Sequence, residues 1–461
     1  MARPTVGALL LVSLLTAQSG DFHVQPVAFG MVRTGGDLWD PQSEPLTFFG
    51  FGVVGEASAG KLRVVTEVVA TQFIGLTSLP RKWSPEHGFS WAISTTDSAT
   101  EFSSDYTSMK LTYQAGDATL YAGKIAQQWG PGMQSLFLSR KSPTYPQIGF
   151  DWPITPSIDF SYFHGELFSG VRDSRSVSGG VKGPQKIWVD RYIVAHRLQW
   201  QPVPALTLAF NESVVYGGKP VETMYLLPFI LFFSAEHFLG DADNVQIQLD
   251  VSWRPGPATE LYGAWFIDDW GILDSFNSEF NQNHFGWLGG LGWSGLLRED
   301  DRLKLEGSWT DARIYRHAYD ITFYENRGYP LGHWTGAHAQ SLELRYAVPL
   351  GSFWLQAEAM HARRGALTRQ MLEEQYDGQV VFDRFGGGSE ALTRAAVQLY
   401  RQVAGKLWLE AGVSVIQWEN TGFSPASPGV DSMDINKVSM NLGFYYNFSL
   451  PGYSITNLLE R

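Results

Sequence analysis

Short and long connections alternate along this chain, and they separate segments whose hydropathy repeats every second residue. Val245, Ile247, Leu249, Val251 and Trp253 alternate with Gln246, Gln248, Asp250 and Ser252. Leu342, Leu344, Tyr346 and Val348 alternate with Ser341, Glu343, Arg345 and Ala347, and Leu303, Leu305 and Trp309 with Lys304, Glu306 and Ser308. A period of two marks strands with two unlike faces. Short links fall at Ser58–Gly60, Ala115–Asp117, Pro202–Pro204, Pro255–Pro257, Glu299–Asp301, Pro349–Gly351 and Val403–Gly405. Long connections lie between them, near 75–101, 169–187, 217–241, 269–284, 314–336, 365–389 and 419–435. A soluble sandwich has no reason to sort its loops by length. A barrel of the bacterial outer membrane does, with short turns on the periplasmic rim and long loops outside. Polar faces then line a lumen, and apolar faces meet lipid.

No internal segment reads as a membrane helix. The most apolar stretch, Met224–Phe233, has ten residues and contains Pro228, whereas a spanning helix needs about twenty. Backbone groups in hydrocarbon must be satisfied within the protein, so only a closed antiparallel β-barrel remains. Composition agrees: 17% charged, 14% aromatic, 48 glycines. Consecutive strands at 118–126 and 156–168 would put the Pro202 turn on the wrong rim, and an additional strand near 133–140 restores the alternation. With a first strand near 23–33 the count is 18 transmembrane strands, or 16 if the terminal segments do not form strands. An even count leaves both termini in the periplasm.

Arg3, the apolar run Val6–Leu15 and the small residues Ala17 and Ser19 form a signal peptide over 1–19, with cleavage expected after Ala17 or Ser19. The barrel is expected over 20–448 and a short periplasmic tail over 449–461. Asn441-Leu-Gly-Phe-Tyr-Tyr-Asn-Phe448 reads as a last strand of the kind recognised by the barrel-insertion machinery, the partner expected during assembly.

Several chemistries are excluded or unsupported. The absence of cysteine removes thiol catalysis, disulfides and Cys-based zinc sites. A formal charge of -12 does not suit a nucleic-acid binder. The ten histidines are scattered without metal-ligand spacing, so neither metal nor cofactor is expected. Ser139 with His164 or His237 is the nearest approach to a hydrolase constellation, but no elbow motif links them. Trp129-Gly130-Pro131-Gly132 makes a tight connection, since Pro131 fixes φ and the glycines tolerate positive φ; by itself it reads as a hairpin rim bearing a girdle tryptophan. Residues 219–238 are too short to span and too apolar for water, and read as a loop with helical turns packed into the lumen or over the mouth. Glu212, with Arg191 and His196 on the preceding strand, suggests a polar cluster across the hairpin. Trp83, Trp91, Trp270 and Trp334 fall in long outer loops, where they either pack the loops or offer flat faces to sugar rings.

Residues 118–255 carry a resemblance. Gly123-Lys-Ile-Ala-Gln-Gln-Trp129-Gly130-Pro131-Gly132, then Leu136-Phe-Leu-Ser139 and Pro143-x-x-Pro146, is similar to the Wzi capsule-assembly family. So are His196-Arg-Leu-Gln-Trp200, Asn211-Glu212-x-x-Val-Tyr216-Gly217-Gly218 and Tyr225-Leu-Leu-Pro228-Phe229. The chain departs from the family pattern at Arg140-Lys141-Ser142. The resemblance implies an outer-membrane, lectin-like barrel that holds capsular or related surface polysaccharide at the cell surface. The expected protein is a monomeric, non-enzymatic barrel with outer-membrane lipids and surface polysaccharide as partners. A porin-like diffusion channel is the alternative.

Overall fold

The computed structural model describes residues 20–35, 45–76, 82–90, 92–94, 100–177, 179, 185–269, 283–376, 384–428 and 433–447. Its strands in chain order are β1 (Asp21–Thr34), β2 (Leu46–Ala59), β3 (Leu62–Ile74), β4 (Glu101–Ala115), β5 (Ala118–Ile125) and β6 (Tyr145–Thr155). There follow β7 (Ile158–Arg172), β8 (Trp188–Val203), β9 (Leu206–Gly217), β10 (Asn244–Gly256), β11 (Thr259–Asp269) and β12 (His284–Ser294). The ring is completed by β13 (Arg302–Thr310), β14 (Ala339–Leu350), β15 (Phe353–Gly365), β16 (Ser389–Ala404), β17 (Leu407–Thr421) and β18 (Met433–Tyr446). Each strand pairs antiparallel with its neighbour in sequence, and β1 closes on β18 from Ala28–Tyr446 to Thr34–Met440. The short segment Ala92–Ser94 pairs beside β4. This is a closed barrel of 18 strands. No described helix is long and apolar enough to cross a membrane.

The two faces divide as the alternation requires. On β10, Leu249, Val251 and Trp253 are exposed while Gln246, Gln248 and Asp250 are buried. On β13, Leu305 and Trp309 look outward, and Glu306 and Ser308 inward. The exposed apolar side chains continue around the wall through Ile148, Trp152, Leu198, Trp200, Leu342 and Val415. Such a belt is stable only against hydrocarbon. The protein lies in the outer membrane of a Gram-negative-type bacterium.

One strand lies elsewhere than the periodicity suggested. Residues 133–140 are not a strand of the wall; the strand that restores the alternation is β6, joined to β7 by a tight turn after Thr155. The reason is visible at Leu136, Phe137 and Leu138, three successive side chains that are all buried. A wall strand buries alternate residues on each face, whereas this segment is surrounded on all sides within the lumen.

Two loops fill much of that lumen. Connections 126–144 and 311–338 meet in an apolar cluster in which Trp129, Phe137, Ile314 and Tyr324 touch inward residues of β5 through β12, among them Tyr121, Phe163, Ile193 and Phe266. A second inward cluster joins Phe29 and Phe48 to Phe73, Tyr400 and Tyr445. Connection 219–241 takes a different course. Its 3-10 turn Met224–Leu226 and its helix α1 (Phe232–Leu239) pack on Tyr162, Val194, Val214, Tyr216 and Val245. These are the residues of opposite parity to the lumenal set on β7–β10, so the segment lies against the outer wall. The expectation that it enters the lumen or caps the mouth is overturned.

Candidate functional site

The plug is built from the Trp129-Gly-Pro-Gly turn upward. Trp129 and Leu138 exchange backbone hydrogen bonds (Trp129 N to Leu138 O, 3.0 Å; Leu138 N to Trp129 O, 3.3 Å), and Ser135 Oγ donates to the Trp129 carbonyl at 2.5 Å. Gly130 and Gly132 have φ of +108° and +97°, and a Cβ would strike Ser135 at the first and the Glu306 carboxylate at the second. Both positions therefore require glycine. Trp129 is 8% exposed and stacks edge-on to Phe163 at 5.2 Å. It is a lumenal core residue, not a girdle tryptophan on a hairpin rim. Glu306 on β13 accepts from Met133 N at 2.6 Å and from Tyr262 Oη at 2.8 Å, tying the plug to the wall.

Loop 311–338 locks onto this turn through its tyrosines. Tyr315 Oη donates to Leu136 O at 2.5 Å and Tyr324 Oη to Phe137 O at 2.9 Å. Ser139 Oγ donates to Gly332 O at 2.5 Å, and Asn326 Nδ2 donates to Ser142 Oγ and Pro143 O, both at 3.1 Å. Arg191, facing inward on β8, spreads its guanidinium over the carbonyls of Asp320, Ile321 and Glu325 at 2.5, 2.7 and 3.1 Å. It does not join Glu212, which points outward. Sequence reasoning missed Arg191 and Glu306 as plug clamps. The available signal was the aromatic content of 315–334, excessive for a loop in water.

Residues 82–90 cover the plug from outside. Lys141 is buried and donates Nζ to Glu86 O at 2.5 Å, and His87 Nδ1 donates to Arg140 O at 2.5 Å. Burial pushes the Lys141 ammonium down to about 7 and the His87 imidazole down to about 4. Trp83 and Trp334 meet at 5.4 Å, Trp418 lies 6.0 Å from Trp83, and the Arg364 guanidinium sits 4.8 Å over the Trp83 ring. Trp83 Nε1 donates to Thr335 O at 3.1 Å. Both indoles are buried, so they hold the outer loops together more than they face solvent. They also border a cleft of about 100 Å³ whose lining includes Lys82, Arg316, Glu325 and Arg364. Every residue of this cleft comes from an outer loop or the outer end of a strand. Trp91 and Trp270 lie outside the described residues.

On the outer wall, Glu212, Tyr216 and Pro228 come together. Glu212 accepts from Phe232 N and Phe233 N, both at 2.8 Å, at the start of α1, whose own preceding residue, Leu231, supplies no side-chain cap. A carboxylate there meets orphan amide hydrogens and the positive end of the helix. His196 Nε2 pairs with Glu212 at 2.9 Å, and its Nδ1 donates to Pro228 O at 3.0 Å. Tyr216 Oη contacts His164 Nε2 at 2.6 Å and accepts from Glu222 N at 3.3 Å. Gly217 ends β9 and Gly218 follows it, and a Cβ on Gly217 would meet Asp190 O and Ile321. Ser139 lies in the lumenal plug, whereas His164 and His237 belong to the outer wall and its covering helix, so the wall separates them. Among the described residues no group of carboxylates and histidines forms a metal-ligand set.

Solved structures with a similar fold include OccK5 (OpdH) of Pseudomonas aeruginosa, with 10% identity, a TM-score of 0.48, and coverage of 92% of this chain and 98% of that one. OccAB2 of Acinetobacter baumannii shows 13% identity, a TM-score of 0.49, and coverage of 94% and 98%. No curated protein matches the sequence. The family profile described as capsule assembly protein Wzi matches residues 48–426, and that span contains the plug turn, its tyrosine clamps and the Glu212 cluster together: the chain belongs to the Wzi capsule assembly family.

Proposed function

We propose that this barrel, exported by the signal at 1–19 and acting as a monomer without catalysis, holds surface polysaccharide at its extracellular mouth. The observation that carries this reading is the cleft between the outer loops. Trp83, Trp334, Tyr315 and Tyr324 contribute an aromatic lining, and Lys82, Arg316 and Arg364 bring cations to its edge, with Glu325 as the acidic counterpart. The rings are buried and fix the walls of the cleft, and the guanidinium and ammonium groups they hold suit carboxylates on an acidic polymer. The overall charge of -12 repels such a polymer at a distance. Local cations act once contact is made, because the wider field is screened beyond about 8 Å in physiological salt.

Lys82→Glu with Arg316→Glu tests the reading. Retention of an acidic surface polysaccharide by cells, or by the purified barrel, falls several-fold at low ionic strength, while heat-modifiable mobility stays unchanged. Undiminished retention by the folded double variant sinks the cleft as the binding place. The plug weighs against the porin alternative, since a lumen crossed by two packed loops does not leave a wide aqueous pore. Large, steady single-channel conductance of the wild-type protein would reverse that judgement.

A further inference from the structure

The outer wall carries an anomaly that the plug and the mouth do not explain. On the upper part of β7–β10 the outward face carries His164, Tyr192, His196, Glu212 and Tyr216 among apolar residues such as Val194 and Val214, and Glu212 is a carboxylate on this face. Glu212 lies midway along β9, paired across the strands with His196 and Ile247. For a strand tilted by about 40° that position is roughly 15 Å above the inner turn, well inside a hydrocarbon band about 25 Å tall. A carboxylate facing acyl chains at that depth is not tolerated. Segment 219–241 removes the problem by lying over it: Glu212 is 0% exposed and His196 5%. Tyr162 Oη donates to Tyr225 O at 2.9 Å, and Phe229 packs on Phe160 at 4.8 Å. Lys219 Nζ and Tyr225 Oη both reach Asp243 at 2.8 Å and hold the two ends of the segment together at the rim.

The other side of this segment is apolar too. Leu226, Leu227, Phe229, Leu231, Phe233 and Phe238 are exposed, Phe229 at 64% and Phe238 at 78%. They extend outward the belt formed by Ile148, Trp152, Leu198 and Leu249, and Phe229 meets Trp152 edge-on at 6.4 Å. We propose that segment 219–241 is a lipid-binding strap: it descends from the extracellular rim along the outside of the barrel and presents this face to the acyl chains of the outer leaflet. Two observations fix the occupant. The polar groups beneath require the strap to stay docked in the membrane, and its exposed face merges with a surface that already meets lipid. The outer leaflet therefore contacts a short helix over these strands, in place of the wall itself.

The natural chain has no cysteine, so single-cysteine labelling is clean. Phe229→Cys, Phe238→Cys, Leu249→Cys on the bare belt and Arg175→Cys on an exposed outer loop each receive an NBD fluorophore and are reconstituted in phosphatidylcholine vesicles. With brominated acyl chains, both strap labels are quenched to within about twofold of the Leu249 label, and the Arg175 label is not, as depth in hydrocarbon dictates. Aqueous iodide shows the opposite order. Quenching of the strap labels by iodide overturns the proposal, and so does protection from both quenchers, which means that protein, such as a second copy, covers the face. If Phe229→Cys fails to assemble, Leu227→Cys and Phe238→Cys carry the same reading.

Discussion

Two loops of this barrel bury strand residues in opposite directions, and they use different chemistry. The plug enters the lumen, where inward side chains are polar and water is near, and it is held by many separate hydrogen bonds: neutral ones from Tyr315, Tyr324, Ser139 and Asn326 to backbone carbonyls, beside those of Arg191 and Glu306. The strap covers the lipid side; midway along it the Glu212 carboxylate meets His196 and the first amides of the helix, and at the rim Lys219 pairs with Asp243. Neutral bonds to carbonyls are individually modest and collectively redundant. A carboxylate that three buried donors share is not redundant, since removing it strands all of them. The comparison teaches that the buried polar contacts beneath the strap converge on one carboxylate, whereas those of the plug are spread over several residues.

The sharpest way to break the symmetry is Glu212→Ala. It leaves His196 and two helix amides without their acceptor, a loss of about 3–5 kcal/mol. The strap undocks, protease cleaves within 219–241, and the barrel between the other strands stays heat-modifiable. A strap as protected as wild type would show that its apolar contacts suffice. Next comes the bare belt beside it. Leu249→Arg puts a charge into lipid at mid-strand, at a cost of about 2–4 kcal/mol, and assembly yield drops. Ser252→Arg, of opposite parity on the same strand, assembles normally. Equal yields for the two variants would refute the assignment of faces.

How much of this was legible in the sequence follows from the same comparison. Periodicity reports a residue's two faces only where those faces meet unlike media, and on β10 and β13 it gave both the strand and its orientation. It is silent where a segment is apolar all round. Leu136-Phe137-Leu138 looks like a strand because it is short and apolar, yet it is enclosed by the lumen. Met224–Phe233 looks like a plug because it is too apolar for water, yet it lies between protein and lipid. Trp129-Gly-Pro-Gly, Glu212, Tyr216 and Pro228 stood out in the sequence as motifs. Several of their partners lie 20 residues or more away, such as Phe232 for Glu212 and Tyr315 for Leu136; these are set by the closing of the barrel and leave no local trace.

On the plug side a single deletion is expected to matter less. Tyr324→Phe leaves the Phe137 carbonyl without a donor in an apolar cluster, at a cost of about 1–3 kcal/mol, with Tyr315 and Ser139 still in place. Planar bilayer recordings should show rare, brief openings in Tyr324→Phe and frequent ones when Tyr315→Phe is added. Long-lived opening in the single variant would mean that the plug, too, hangs on one bond.

The smallest effect is a graded response to acid at the outer cover of the plug. Burial holds His87 down to about 4 and His333 down to about 3, both from an ordinary 6.5, and Lys141 down to about 7 from 10.5. Each is a base that binds its proton more weakly when docked than when released. The released state therefore takes up more protons between the two values, and docking weakens as pH falls through that range. Lys141 loses its contribution between about 10.5 and 7, and the histidines lose theirs from 6.5 downward. One pH unit below 6.5 costs at most about 1.4 kcal/mol per histidine. Hydrogen exchange at residues 82–90 should quicken steadily from pH 7 to pH 5 after correction for intrinsic rates. His87→Gln flattens the response of 82–90. An unchanged slope in that variant would assign the acid sensitivity to His333 and the inner layer of the plug.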